Sequence, residues 1–136
     1  MNKKKLIALT MILTLLLTST AFAYADVQTR ETDLVVYDIS RTSRTTATAT
    51  VNVSFATTVD SYNVTMYLQK KVDGNWVNDT TNDDYSINNR GANSRRFIFN
   101  HIYTDLDSGV NYRIKCVSKD TIGSDSYSFT SYSNQF

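Results

Sequence analysis

The sequence predicts an all-β protein in which about seven antiparallel strands form a β-sandwich. Two observations support this prediction. Hydrophobic and polar residues alternate with a period of two along most of the chain, and no segment after residue 25 keeps a helical period. The chain has 136 residues, 41% of them hydrophobic, which fits one domain. We therefore expect a signal peptide at 1–25, a flexible lead-in at 26–33 and the sandwich domain at 34–136.

The first 25 residues have the order of a secretory signal peptide. Lys3, Lys4 and Lys5 precede an apolar run at 6–17, and small residues follow with possible cleavage sites after Ala23 and Ala25. A run of 12 residues is shorter than the ~20 that a membrane-spanning helix needs. The sequence thus predicts a secreted, extracellular protein with no stable membrane span after cleavage.

Charge and composition exclude several classes of function. The leader contains three of the 14 basic residues and none of the 13 acidic ones, so its removal turns a net charge of +1 into −2. Such a balance argues against a nucleic-acid partner. Cys116 is the only cysteine and cannot form an intramolecular disulfide, and the four glycines are too scattered to form a phosphate-binding loop. We expect no cofactor.

The strands follow one another with few interruptions. The strongest signal lies at 46–55, where Ala47, Ala49, Val51, Val53 and Phe55 alternate with polar residues. A second alternating run at 62–69 leads to Asp73-Gly74, a dipeptide typical of tight hairpin turns, and to a return strand at Trp76. A polar loop follows at 78–84. Further strands are predicted at 34–37, 95–102, 110–117 and 127–132, with a turn at Gly123.

Residues 106–112 place Leu106, Gly109 and Tyr112 in the spacing L-x-x-G-x-x-Y. This motif resembles the one found before the sixth strand of immunoglobulin/fibronectin type III-like domains. The resemblance implies structural roles for these three residues, with Tyr112 as a tyrosine-corner residue whose hydroxyl binds backbone upstream. The segment 67–76 is similar to a block in small, uncharacterised secreted proteins of Gram-positive bacteria. Neither likeness implies an activity, because a fold does not specify a function.

The residues that could perform chemistry are few. His101 is the only histidine, and a nucleophilic pair with Cys116 would need an accessible thiolate. Cys116 instead alternates with Ile114 and Tyr112 on an apolar face, as a buried cysteine does. We therefore expect no catalytic residues and no enzyme, although a polar cleft around His101 would favour one.

Two acidic loops could in principle bind calcium. One contains Asp79, Asp83 and Asp84, and the other contains Asp105 and Asp107 beside Gly109. The second loop does not fit the spacing of an EF-hand, and solvated loop carboxylates are far commoner than calcium sites. We therefore assign no metal site.

The nine tyrosines provide the best indication of function. Several aromatic residues fall at polar positions, and we expect exposed rings at Tyr67, Trp76, Tyr85 and Tyr103. Outward tyrosines also stabilise sheets by cross-strand pairing, which is the simpler explanation. We predict surface binding to an extracellular protein or glycan, in adhesion or in modulation of that partner. The alternative is a carbohydrate-binding module, with Tyr67, Trp76 and Tyr85 in a flat row.

Overall fold

The computed structural model describes residues 33–136, which form a six-stranded antiparallel sheet with no helix among them. The predicted signal peptide and almost all of the lead-in lie outside the described residues. The all-β prediction is confirmed. The strands are β1 (Leu34–Arg41), β2 (Ala47–Val72), β3 (Asn75–Asn78), β4 (Ser86–Tyr103), β5 (Tyr112–Ile122) and β6 (Asp125–Tyr132).

Strand β2 lies at the centre of the sheet and pairs with four other strands. Its first half lies between β1 and the end of β4. Its second half pairs with β5 on one side and with the beginning of β4 and then β3 on the other. Strand β6 pairs with the outer side of β5. The sheet therefore has two halves that share β2 and β4.

Two of the predicted strand boundaries are wrong. The runs at 46–55 and 62–69 belong to one strand of 26 residues, and β4 begins at Ser86 where the sequence predicts a start at residue 95. The physical reason is that residues 56–61 contain neither glycine nor proline, so the chain makes no tight turn there. Pairing with β4 continues beyond an irregularity in which residues 55–58 lie opposite Arg95 alone. The result is six strands, where about seven were expected.

The core lies on the inner face of this curled sheet. In β2 the buried positions are odd-numbered from Ala47 to Phe55 and even-numbered from Val64 to Leu68. Val59 is also buried at an odd position, so the change of phase falls between Val59 and Val64, just after the irregular pairing, and it keeps apolar side chains inward in both halves. Tyr112, Ile114 and Cys116 of β5 are wholly buried in the same cluster. The inward position predicted for Cys116 is confirmed.

The two halves meet where β1 ends and β5 begins. The Arg41 guanidinium donates a hydrogen bond to the Val110 carbonyl at 2.6 Å and lies 5.4 Å from the centre of the Tyr112 ring. Nearby, the Leu106 backbone N–H donates to the Thr45 carbonyl at 3.0 Å. These contacts join segments distant in sequence and close one end of the curled sheet over the core.

Glycine and aspartate make the turns that the sequence predicts. Asp73 and Gly74 have φ of 49° and 81°, as a two-residue hairpin between β2 and β3 requires. Gly123 has φ of 59° in the turn between β5 and β6. Gly91 has another role: the Tyr62 ring lies directly on it and leaves no room for a Cβ atom. Both hairpin turns are confirmed.

Candidate binding surface

The outward side of the second half of the sheet is rich in positive charge. Register and alternation place five basic residues on it and no carboxylate among the side chains of residues 33–136 that lie there. We call this surface the cationic face. Its basic residues are Lys71, Arg90, Arg113, Lys115 and Lys119. Its rings are Tyr67, Trp76 and Tyr132, and its amides are Asn63, Gln69, Asn78 and Asn88.

Arg113 is the most firmly held cation of this face. Its Nε donates to Gln69 Oε1 at 2.8 Å, and Gln69 Nε2 donates in turn to Asn78 Oδ1 at 3.0 Å. The guanidinium carbon lies 4.6 Å from the centre of the Trp76 ring and 4.2 Å from that of Tyr132. Trp76 belongs to β3, which β2 separates from β5, and Tyr132 belongs to β6 on the other side of β5. The two rings therefore contact the guanidinium from two directions.

The Nη groups of Arg113 remain available to a ligand. In the described part of the chain, Nε makes the hydrogen bond of this side chain and neither Nη has a protein acceptor. A guanidinium has five N–H donors in a rigid planar fork that matches the two oxygens of a carboxylate or phosphate. The side chain is thus oriented by its neighbours while most of its donors are unused.

Two lysines also lie over rings of the cationic face. The Lys115 ammonium is 5.8 Å from the centre of the Tyr67 ring, and the Lys71 ammonium is 5.7 Å from that of Trp76. Each of the three rings therefore has a cation against it. The rings thus hold the basic side chains in place, and they do not form an uncovered aromatic surface on which a ligand ring could stack.

At the end of the cationic face farther from Arg113, side-chain amides hold neighbouring residues in place by hydrogen bonds. Asn88 Nδ2 donates to the Asn63 side-chain oxygen and, at 2.7 Å, to Thr65 Oγ1. Arg90 Nε donates to Asn88 Oδ1 at 3.3 Å. This network connects neighbouring strands β2 and β4 and orients Arg90.

A cavity of about 560 Å³ adjoins this end of the face. Arg90 and Lys119 contribute to its lining together with Tyr62, Tyr127 and Asp120. Asp120 is 2% exposed. The cationic face therefore ends in a concave region at the turn between β5 and β6.

The structure separates the four aromatic residues predicted at a binding surface. Tyr67 and Trp76 lie half-buried on the cationic face. Tyr85 is half-buried against the core, on the other side of the sheet. Tyr103 is 0% exposed, so the prediction of an exposed ring there is wrong. Its position at the end of β4 is inward, in phase with Phe99 and His101, and burial raises the pKa of its hydroxyl. The flat row of Tyr67, Trp76 and Tyr85 is not formed.

The motif at 106–112 makes a compact corner. Leu106 and Tyr112 are buried, and Gly109 has φ of 76°. The Tyr112 hydroxyl accepts a hydrogen bond from the Asp107 backbone N–H at 2.9 Å and donates to Asp79 Oδ2 at 3.2 Å. Burial raises the pKa of this hydroxyl. The motif thus connects the start of β5 to the loop after β3.

Asp79 is a structural carboxylate within the predicted polar loop. It is 2% exposed and pairs with Lys70 Nζ at 2.9 Å, while Thr81 Oγ1 donates to it at 2.6 Å. Burial alone would raise the pKa of Asp79, but hydrogen bonds from Thr81, Lys70 and Tyr112, with the Lys70 charge, outweigh it and lower the pKa. Lys70 also pairs with Asp107 at 3.1 Å, so it bridges both acidic loops.

His101 and Cys116 occupy different environments. His101 Nε2 lies 3.0 Å from Asp84 Oδ2, and its ring packs edge-on against Tyr103 at 4.7 Å between centres. Cys116 is buried in the core, where desolvation raises the pKa of its thiol to about 12. A thiol with that pKa stays protonated at neutral pH and is a poor nucleophile.

Residues 33–136 contain no group of three or more His, Cys, Asp or Glu side chains placed to hold a metal ion. They also include no helix long and apolar enough to cross a membrane.

Arg113, at the centre of the cationic face, is not among the residues predicted from the sequence to bind a partner. Arg113, Lys115 and Lys119 alternate with the inward Tyr112, Ile114 and Cys116, so the alternation alone would have placed all three outward. No sequence pattern shows that Trp76 and Tyr132 reach Arg113, because that contact depends on strand order.

Comparison of the chain with models of protein families, with curated proteins and with solved structures finds no match.

Proposed function

We propose that this protein is a non-catalytic binding module that recognises an extracellular protein or glycan through its cationic face. The observation that carries the proposal is Arg113, which two rings and Gln69 hold while its Nη groups have no protein acceptor in the described chain. An oriented side chain loses less conformational entropy on binding than a free one, so this arrangement favours recognition. Tyr67 and Trp76 contribute as supports of the cations.

The extracellular location belongs to the same proposal. It is supported by the order of basic, apolar and small residues over 1–25, which is typical of a cleaved secretory leader. A buried lone Cys116 and the absence of any other cysteine mean that the fold depends on packing in either compartment. We propose that the released domain acts in adhesion or in modulation of its partner.

We also propose that the two halves of the curled sheet are the two layers of an immunoglobulin/fibronectin-like sandwich. The support is the inward phase of both halves of β2 and the contact of the Asp107 N–H with the Tyr112 hydroxyl. In such a sandwich the outward side chains of one layer are free to form a binding surface.

A binding measurement with a matched control tests the proposed function. The full-length chain and its Arg113→Gln and Arg96→Gln variants are titrated against purified extracellular matrix and cell-wall glycan preparations. Both variants lose one positive charge, but Arg96 lies outward on the other half of the sheet. We expect Arg113→Gln to weaken binding about tenfold or more, since hydrogen bonds to charged groups are the stronger ones.

The Arg96→Gln variant should bind as the wild type does. Equal weakening in both variants would show that net charge and not the cationic face governs binding. No binding of either preparation by the wild type would contradict the proposed function. Thermal unfolding followed by circular dichroism confirms that both variants fold.

A further inference from the structure

We infer that the ligand of the cationic face is a linear polysaccharide carrying carboxylate or phosphodiester groups along its chain. This inference rests on the proposed function and names the class of ligand for the same surface. It follows from three features of the face: the sign of its charge, the spacing of its cations and the kind of uncharged groups that lie among them.

The charge of the face selects an anion. Five basic residues point outward there with no carboxylate among them in the described chain, although the charge of the chain as a whole is close to zero. The acidic residues nearby do not point outward on the face: Asp73 lies in the hairpin turn, Asp79 is turned inward to Lys70, and Asp120, in the lining of the concave end, is 2% exposed. This segregation creates a positive surface on a nearly neutral protein, which attracts and orients polyanions.

The spacing of the cations fits an extended polymer. Arg113, Lys115 and Lys119 lie on one side of β5, where alternate residues are about 7 Å apart and the row extends over about 20 Å. Arg90 lies in the same cross-strand row as Lys119, two strands away. A chain with regularly repeated charges can contact several of these residues at once, which a single small anion cannot do.

The Arg113 fork provides the geometric contact. Its Nη groups can give two parallel hydrogen bonds to the oxygens of one carboxylate or phosphate, whereas an ammonium group acts as a point charge. Because Trp76 and Tyr132 fix the plane of the guanidinium, the direction of this contact is set before the ligand arrives.

The uncharged groups on the face favour a glycan over other polyanions. Asn63 lies in the cross-strand row of Arg90 and Lys119, and Gln69 and Asn78 lie in the row of Arg113. The next row, between those of Asn63 and Lys115, contains Asn88, Thr65 and Thr130. Amide and hydroxyl groups both donate and accept, as sugar hydroxyls do. The three rings have cations against them, which opposes the stacking of bases that single-stranded nucleic acids require.

Binding of defined polymers tests the inference. Calorimetric titration of the full-length chain uses polygalacturonate as the carboxylate glycan, a phosphomannan as the phosphodiester glycan and dextran as the neutral one. At least one charged glycan should bind about tenfold or more tightly than dextran, and which one binds identifies the anion. Binding should weaken strongly between about 50 and 500 mM NaCl, because the Debye length falls severalfold.

Two variants distinguish the effect of the planar Arg113 guanidinium from the effect of its positive charge. Arg113→Lys keeps the charge but removes the planar fork, so affinity for the charged glycan should fall about tenfold. Arg96→Gln should leave that affinity unchanged. Equal affinity of the wild type and Arg113→Lys would overturn the role of the fork and with it the inference.

Titration with polyanions that are not glycans tests whether binding to the cationic face requires a sugar chain. Polyglutamate and a single-stranded oligothymidylate of similar charge are titrated under the same conditions. Binding of either as tightly as the charged glycans would overturn the inference, and so would equal binding of dextran. If an extracellular preparation binds in an Arg113-dependent way while both charged glycans fail, the proposed function stands and this inference does not.

Discussion

The two outward surfaces of the sheet differ in composition although β2 and β4 contribute to both. The cationic face carries five basic residues, three rings and four amides. The other surface, which we call the neutral face, is formed by the outward side chains of β1, the first half of β2 and the end of β4. Half of its twelve residues are Thr, Ser or Asn, four are aliphatic, with Leu34 at 60% and Ile102 at 59% exposure, and one acidic and one basic residue balance each other.

The residue types of the neutral face are those expected if only the stability of the sheet were selected. Thr and Ile favour strands, and single exposed apolar side chains are normal on a protein surface. The cationic face departs from that pattern, because like charges on adjacent strands repel one another. Rings and amides beside Arg113, Lys115 and Arg90 offset part of the repulsion. The fold does not require this repulsion, which supports the proposal that the cationic face binds a ligand.

The largest effect is expected from a deletion that misaligns the two halves. Thr57 is exposed and lies in the irregular stretch at 55–58. Removing it changes the phase of one half of β2, so that either Val51 and Val53 or Met66 and Leu68 would face water. Each exposed side chain costs about 1.5–3 kcal/mol, and the sum approaches the whole stability of a small domain. We expect no cooperative thermal transition.

Thr57→Ala provides the control for this deletion. It keeps the number of residues and should change the free energy of unfolding by less than about 0.5 kcal/mol, as exposed substitutions usually do. A deletion variant that unfolds as cooperatively as Thr57→Ala would show that the irregular stretch can absorb a change of length.

A smaller effect is expected from the carboxylate that anchors the end of the cationic half. Asp79→Asn removes the ion pair with Lys70 and weakens the bond from Tyr112, and should lower the free energy of unfolding by about 2 kcal/mol at pH 7. Thr81 and Lys70 hold the pKa of Asp79 below its usual value in spite of burial. The ionised form therefore stabilises the fold above about pH 4, and this contribution disappears as the pH falls through the lowered pKa.

Chemical denaturation at several pH values measures this difference. The gap between wild type and Asp79→Asn should be largest near neutrality and should close in acid. Asp38→Asn, which removes an exposed carboxylate from the neutral face, should change stability by less than about 0.5 kcal/mol at any of these pH values. A gap that stays constant as the pH is lowered from neutrality into acid would contradict the assigned role of the Asp79 charge.

The smallest effect concerns the coupling of Trp76 with Arg113. A double-mutant cycle with Trp76→Ala and Arg113→Ala should give a coupling energy of about 1 kcal/mol, because the ring and the guanidinium are in partly buried contact. The matched pair on the neutral face is Asn52 and Arg96, whose side chains make a hydrogen bond of 2.6 Å. Its coupling should be below about 0.5 kcal/mol. Equal coupling on both faces would show that Arg113 is no better held than an ordinary surface arginine.

Local pattern predicted much of the fold but little of the binding surface. The alternation at 46–55 predicts which side chains are buried, and Asp73-Gly74 predicts the hairpin, because both depend on neighbouring residues. Tyr103 was misplaced because the predicted strand ended at residue 102, although alternation from Phe99 through His101 places Tyr103 on the inward face. The polar loop at 78–84 gave no sign that Asp79 is buried, because its partner Lys70 lies on another strand.

The sequence by itself determined the strand content, the inward faces of β2 and β5 and the positions of two hairpin turns. These properties follow from a period of two and from the backbone freedom of a few residues. Only the tertiary structure decided that β2 runs through both halves and that β5 lies between β2 and β6, with β3 on the far side of β2. Register between distant segments is set by how the core packs, and it is register that brings Trp76 and Tyr132 to Arg113.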